Sequence, residues 1–218
     1  MHNNPVRALI FDLDGTLANT LPLCIQAFRQ AVEPLANRVL TDQEIISTFG
    51  PSEEGTIQAL IPTHYQEGVA NYITHYEQLQ DMCSTPFNGI AELLNDLKNE
   101  RIRLGLVTGK GPQSTAISLN YFKLSHYFEF IETGWIHGPR KVDGIRSILS
   151  QWPDLSREQV WYVGDAPSVV LASRQAGIPV VGAAWAETTN VEELEALHPD
   201  QLFISIDKFD KWVRSAVV

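Results

Sequence analysis

Ile10-Phe11-Asp12-Leu13-Asp14-Gly15-Thr16-Leu17 is the stretch on which the reading of this chain turns. It closes the apolar run Val6–Phe11, too short for a helix and apolar on both faces, as a buried strand is. Asp12 and Asp14 lie two residues apart at the strand end, so their side chains leave the same side of the backbone. Gly15 permits a sharp turn away from the sheet. Two carboxylates in one site push their pKa values apart, so one can attack as a nucleophile while the other handles protons. The ordinary alternative is a pair of loop aspartates that cap a helix and face water.

Outward from this stretch the same rhythm repeats. Ile102–Val107 ends in Thr108-Gly109-Lys110, and Val160–Val163 ends in Gly164-Asp165. Tyr127–Glu132, Pro179–Gly182 and Leu202–Ile206 are further strand candidates, the first of them weaker. Ile90, Leu93, Leu94 and Leu97 follow helical spacing, as in part do Ile145, Ile148 and Leu149. Apolar strands alternating with amphipathic helices predict an α/β fold, a doubly wound and mostly parallel sheet covered on both faces. Ligands of such sheets bind at the carboxyl ends of the strands, where the polar clusters after the first, second and fourth strands would meet.

Residues 19–82 break the rhythm. They read as the helices Leu21–Val32, Asp42–Phe49, Glu53–Leu60 and Tyr65–Leu79, with breaks at Pro34, Gly50-Pro51 and Pro62. We therefore expect a helical cap at 19–82 inserted into a Rossmann-like core formed by 1–18 and 83–218. Both connections leave from near the crevice, so the cap can close over what binds there.

Sixteen Lys and Arg face 26 Asp and Glu, a net charge of −10 that argues against a nucleic-acid or anionic-membrane partner. A small anionic substrate stays open, because a metal and a few local donors can overrule a diffuse negative field. Residues 1–5 are polar and no apolar run reaches the ~18–20 residues of a membrane span, so a cytoplasmic protein is expected. Cys24 and Cys83 are too few for a disulfide framework and read as small buried hydrophobes. The six histidines form no metal-binding string, and the tryptophans, among them Trp135, Trp161 and Trp185, read as packing residues.

The Asp12–Thr16 string, followed in order by the later clusters, resembles the haloacid dehalogenase (HAD) superfamily, in particular its small phosphatases with a helical cap after the first strand. Phosphoglycolate phosphatase-like enzymes are the nearest resemblance. It implies a Mg²⁺-dependent phosphatase of a small phosphorylated metabolite. Asp12 would form an aspartyl-phosphate, and Asp14 would serve as general acid and then base. The Asp12 carboxylate and the Asp14 backbone carbonyl would bind Mg²⁺.

Thr108-Gly109-Lys110 looks like the family's second motif, a hydroxyl and free helix N–H groups placed to bind phosphate. Its plain alternative is an N-cap followed by a solvated lysine. Lys141 is the candidate for the cation that stabilises the gathered charge, with Arg140 a competitor because the commoner Lys-Pro-x-Pro string is missing. Asp165 would complete an oxygen-rich Mg²⁺ site. Many relatives carry a second acid four residues on, where this chain has Val169, and Ser168 beside it points elsewhere if a helix has begun.

Gly50, Glu53 and Glu54 open a helix of the insertion and are candidates to face the substrate, although acids at a helix start are ordinary. Asp14 sets the chain apart from the dehalogenase branch. The absence of any lysine between 19 and 85 excludes a Schiff-base lysine from the cap, and the insertion's two arginines, Arg29 and Arg38, argue against a sugar phosphomutase. Pyrophosphate, nucleotide and sugar-phosphate substrates remain open beside a low-turnover phosphate-binding or regulatory protein, for which Val169 is the support. Nothing in the sequence chooses between monomer and homodimer.

Overall fold

The computed structural model describes residues 5–217. Residues 1–4, which carry most of the polar N-terminal reading, and residue 218 lie outside them. Six parallel strands form one sheet: β1 (Ala8–Phe11), β2 (Arg103–Val107), β3 (Phe130–Glu132), β4 (Val160–Gly164), β5 (Val180–Ala183) and β6 (Gln201–Phe203). Their order is β3-β2-β1-β4-β5-β6. Every residue of β1 and β4 is buried, which is why these runs lack polar alternation.

The two faces of the sheet feed two apolar layers. Leu9, Phe11, Trp161 and Val163 face one, with the buried sides of α1 (Leu21–Ala36), α5 (Ile90–Asn99) and α10 (Ile206–Ala216). Ala8, Ile10, Val160 and Tyr162 face the other, with α7 (Lys141–Gln151) and α8 (Pro167–Ala176). Ile90, Leu93, Leu94 and Leu97 are all buried on α5, as their spacing predicts. At ~1.5–3 kcal/mol for each fully buried large apolar side chain, these layers are the main stabilising contribution.

Between β1 and β2 the chain is helical: α1, α2 (Asp42–Ile46), α3 (Glu53–Leu60) and α4 (Tyr65–Gln78). Phe28 of α1 meets Tyr72 of α4 at 4.4 Å between ring centroids, and Tyr72 stacks on Tyr76 at 5.7 Å. α2 starts on a Thr41–Glu44 capping box, each side chain bonding the other's backbone N–H.

Two expectations need correction. Pro34 does not break the first helix, which runs on to Ala36 and stops at Asn37 in the left-handed conformation. A proline in the last turn forfeits one hydrogen bond where the helix is about to end anyway. The sixth strand stops at Phe203, because the Ser205 hydroxyl accepts the Lys208 N–H at 3.4 Å and starts α10 at Ile206.

Candidate active site

The strand order reverses at β1, between β2 and β4, and register does the rest. Phe11 pairs with Leu106 on one side and Val163 on the other, so Asp12 lies one residue past the pairing and Thr108 and Asp165 two past. Three elements remote in sequence thus deliver polar side chains to one crevice. The turn after β1 is tight, with Gly15 N–H donating to the Ala18 carbonyl at 2.9 Å and Leu17 N–H to Leu13 at 2.9 Å. Gly15 takes φ +70°, and a Cβ there would lie 2.0 Å from Oδ2 of Asp165. Only glycine allows the turn to close against that carboxylate.

Asp12 is buried. Its Oδ1 accepts the Leu13 N–H at 2.8 Å, and Lys141 Nζ donates to its Oδ2. Lys141 is the first residue of α7, while Arg140 pairs with Glu132 at 3.2 Å, so of the two basic candidates Lys141 is the one brought to Asp12. Gly109 borders the same place, where a Cβ would lie 3.9 Å from Lys141 Cε. Asp165 accepts from the Thr16 hydroxyl at 3.3 Å. Burial of its carboxyl, reinforced by the charge of Asp12 and opposed by Lys141, pushes its pKa up to about 7.

Thr108 is buried and its Oγ1 accepts the Lys110 N–H at 3.2 Å, which leaves the hydroxyl hydrogen to donate elsewhere. Lys110 itself points away from Asp12. Its buried ammonium lies 3.3 Å from Asp14 Oδ1, 3.6 Å from Glu53 Oε1 and 3.2 Å from Cys24 Sγ, and 4.4 Å above the Tyr76 ring. Burial opposes its charge, yet Asp14 and the other neighbours hold its pKa well above the ordinary value. The Thr20 hydroxyl also donates to Asp14.

Glu53, the first residue of α3, completes this cluster from the helical insertion. Its carboxylate accepts from the Gly111 N–H and the Ser114 hydroxyl at the start of α6 (Pro112–Tyr121). α6 has glycine as its N-cap and no capping side chain of its own, so Glu53 caps it from 58 residues away. Burial pushes the Glu53 carboxyl up, against the pull of Lys110 and of the Ser114 bond. Three donors converge on its two oxygens, a geometry that serves the ionised form. Burial pushes the Cys24 thiol up to about 12, which makes it an inert neighbour at neutral pH.

Sequence reasoning passed over Thr20, Tyr76 and Ser114 and gave Glu53 little weight, while Cys24 is the small buried residue it was read to be. One signal was available: Gly111-Pro112 opens a helix with no capping side chain, so a group from elsewhere was needed. Trp135 is a further correction. It is 53% exposed and packs edge-on against His137, because its backbone carbonyl is tied to Ser52 N–H of the insertion at 3.0 Å and the ring is turned outward. Val169 is fully buried, its methyl carbon 2.4 Å from where a Cβ on Gly164 would fall, in the apolar layer beneath α8.

Asp12 and Asp165 bring two carboxylates to one place, and the raised pKa of Asp165 reflects first its burial and then the charge of Asp12. Hard oxygen donors of this kind suit Mg²⁺, which takes one or two carboxylates and keeps several waters. Among the described residues no three His, Cys, Asp or Glu side chains gather around one point, so the carboxylates offered here are two, Asp12 and Asp165. No helix among those residues is long and apolar enough to cross a membrane.

A six-stranded parallel sheet flanked by helices, with three aspartates, a lysine and a threonine gathered at its switch point, defines an α/β protein of Rossmann-like architecture with a carboxylate at the end of the first strand. Residues 9–183 match the haloacid dehalogenase-like hydrolases, and the chain belongs to that family. It is 29% identical over 198 residues to pyrophosphatase PpaX of Listeria monocytogenes, covering 89% of this chain and 90% of the relative. Among solved structures it resembles a predicted phosphatase from Clostridium acetobutylicum (TM-score 0.79, 20% identity, 97% and 100% of the two chains). A predicted phosphoglycolate phosphatase of Haemophilus somnus is similar in fold (TM-score 0.74, 19% identity, 94% and 97%).

Proposed function

We propose that this protein is a Mg²⁺-dependent phosphatase that hydrolyses a small phosphorylated metabolite through an aspartyl-phosphate on Asp12. The observation that carries the reading is the placement of a buried Asp12 at the sheet's switch point, ion-paired to Lys141 and one turn from Asp14. Asp12 attacks phosphorus and the bond to the departing oxygen breaks, with Asp14 giving that oxygen its proton. Asp14, now ionised, takes a proton from water as the water attacks the aspartyl-phosphate, and the bond from phosphorus to Asp12 breaks.

Lys141 neutralises negative charge that gathers as the phosphoryl group approaches Asp12. Thr108 donates its free hydroxyl hydrogen to a phosphoryl oxygen, and the backbone at Gly109 lines the same side. Lys110 acts on Asp14 and holds it in place. Asp12, Asp165 and the Asp14 backbone carbonyl would hold Mg²⁺, which when bound supplies charge neutralisation for phosphoryl oxygens. The helical segment 19–82 acts as a cap over the crevice, through α3 and Glu53.

A relative named as a pyrophosphatase supports phosphoryl-transfer chemistry, and a neighbour described as a predicted phosphoglycolate phosphatase shares the fold. The low-turnover alternative rests on Val169, which packs in the apolar layer under Gly164 and brings no oxygen donor to the crevice. The test is release of p-nitrophenolate and phosphate from p-nitrophenyl phosphate with and without Mg²⁺. Turnover that needs Mg²⁺ supports the reading, and none in either condition sinks it.

A further inference from the structure

The departing group of the substrate must lie on the Asp14 side of the crevice, since Asp14 is the proposed proton donor to it. Three donors are placed on that side to meet an anion: the Lys110 ammonium, the Gly111 N–H and the Ser114 hydroxyl. All three are already taken by one carboxylate, that of Glu53. Lys110, with Asp14 at 3.3 Å and Glu53 at 3.6 Å, is one positive charge between two acids and has none to spare.

Beside it Glu54 brings a further carboxylate, with oxygens 2.9 and 3.2 Å from where a Cβ on Gly111 would lie. Its Oε2 is buried and has no hydrogen-bond partner. A buried acceptor without a donor costs about 1–3 kcal/mol until something supplies one. Arg140 is committed to Glu132.

We infer that Glu53 is the specificity-determining residue of this site: by occupying Lys110, Gly111 and Ser114 it selects phosphate esters whose departing alcohol carries no negative charge and offers hydrogen-bond donors, as a polyol or an amino alcohol does. The inference rests on the phosphatase reading above and narrows its substrate class. Departing groups that bear a carboxylate or a second phosphate meet Glu53 and Glu54 with no cation to offset them, and like charges at close range discriminate strongly. Glu53 belongs to the insertion and its partners to the core, so selection requires the cap to be seated as it is here.

The test compares kcat/KM, with Mg²⁺, for glycerol phosphate and phosphoethanolamine against phosphoglycolate and pyrophosphate, in wild type and Glu53→Gln. p-Nitrophenyl phosphate serves as the general control. Wild type is expected to favour the first pair by about tenfold or more, the scale on which a single contact divides competing substrates. Glu53→Gln frees Lys110 and should shift that ratio about tenfold toward phosphoglycolate and pyrophosphate, whereas a merely structural loss lowers all four alike.

An unmoved ratio in a Glu53→Gln protein that still turns over the control overturns the inference, and so does a wild type that prefers phosphoglycolate or pyrophosphate. Should Glu53→Gln fail to fold, the wild-type panel decides together with Glu54→Gln, which should lower phosphoethanolamine relative to glycerol phosphate. A wild type inactive on the control with Mg²⁺ fails the phosphatase reading itself and removes the inference with it.

Discussion

Lys141 and Lys110 each bring an ammonium to the Asp12–Asp14 turn, Lys141 to Asp12 and Lys110 between Asp14 and Glu53. Lys141 comes from the start of α7, its side chain 13% exposed, and it reaches Asp12 at the mouth of the sheet. Lys110 is shut in, its side chain 1% exposed, over the Tyr76 ring and against Glu53 of the insertion. The first arrangement leaves an ammonium a little more exposed, beside the carboxylate that the proposed mechanism uses as nucleophile. The second consumes its charge inside the protein. An ion pair at a site's edge can be redirected to a ligand, while a buried one fixes how two parts of the molecule sit and which charges are left over.

That contrast gives the predictions their order. The largest effect belongs to Asp12→Asn, which keeps shape and can still accept hydrogen bonds but loses the nucleophile. Steady-state turnover of p-nitrophenyl phosphate should fall ~10³-fold or more with an unchanged circular dichroism spectrum. Normal activity in this variant would end the aspartyl-phosphate mechanism.

Next come the two lysines, replaced in parallel by methionine. Lys110→Met leaves the buried Glu53 carboxylate without its cation, and removing one partner of a buried pair costs ~3–5 kcal/mol, readable as a drop in denaturation midpoint. Lys141→Met should cost less stability, because its end of the crevice is wetter, but lower kcat ~10²–10³-fold as an electrostatic stabiliser is lost. If Lys141→Met is the more destabilising of the two, the division into an open and a closed half is wrong.

The same division marks what could be read from the sequence. β1, β2 and β4 were visible because central parallel strands are apolar on both faces, and in a parallel sheet register alone carries Asp12, Thr108 and Asp165 to one place. The edge strands β3 and β6 are three residues long and only partly buried, so their runs were weak or misplaced. Pro34 was misread because a proline's effect depends on how much helix follows it. The closed half is assembled from Cys24, Glu53, Tyr76, Lys110 and Ser114, contacts spanning up to 86 residues that no local pattern records. A charged residue at a helix start is common, and only the three-dimensional path shows that Glu53 caps a different helix from its own.

Val169→Asp tests the boundary between crevice and core. Since Val169 is packed into the apolar layer against Gly164, a carboxylate there enters the core without a partner. We expect a loss of ~2–4 kcal/mol in stability and an unchanged Mg²⁺ requirement in the protein that remains folded. A lowered Mg²⁺ requirement would mean that the position opens into the metal site after all.

The smallest effect concerns Asp165 and has a definite sign. Its carboxyl is shifted from 3.8 to about 7 in the folded protein, chiefly by burial and then by the charge of Asp12. Below about pH 4 it is protonated in both folded and unfolded chains and contributes no pH dependence. Between about pH 4 and 7 the folded state binds the proton that the unfolded state has released, so stability falls as pH rises through that window. Above it both states are ionised and the repulsion between Asp12 and Asp165 is present in full. A divalent cation held by these carboxylates binds the ionised form and competes with the proton. The rise in melting temperature on adding Mg²⁺ should therefore be larger at pH 8 than at pH 5, by a few degrees for about 1 kcal/mol in a chain of this size. Asp165→Asn removes the titrating group and should flatten that difference. Equal Mg²⁺ shifts at both pH values in the wild type would place the cation away from Asp165, and the open half would then rest on Asp12 and Lys141 alone.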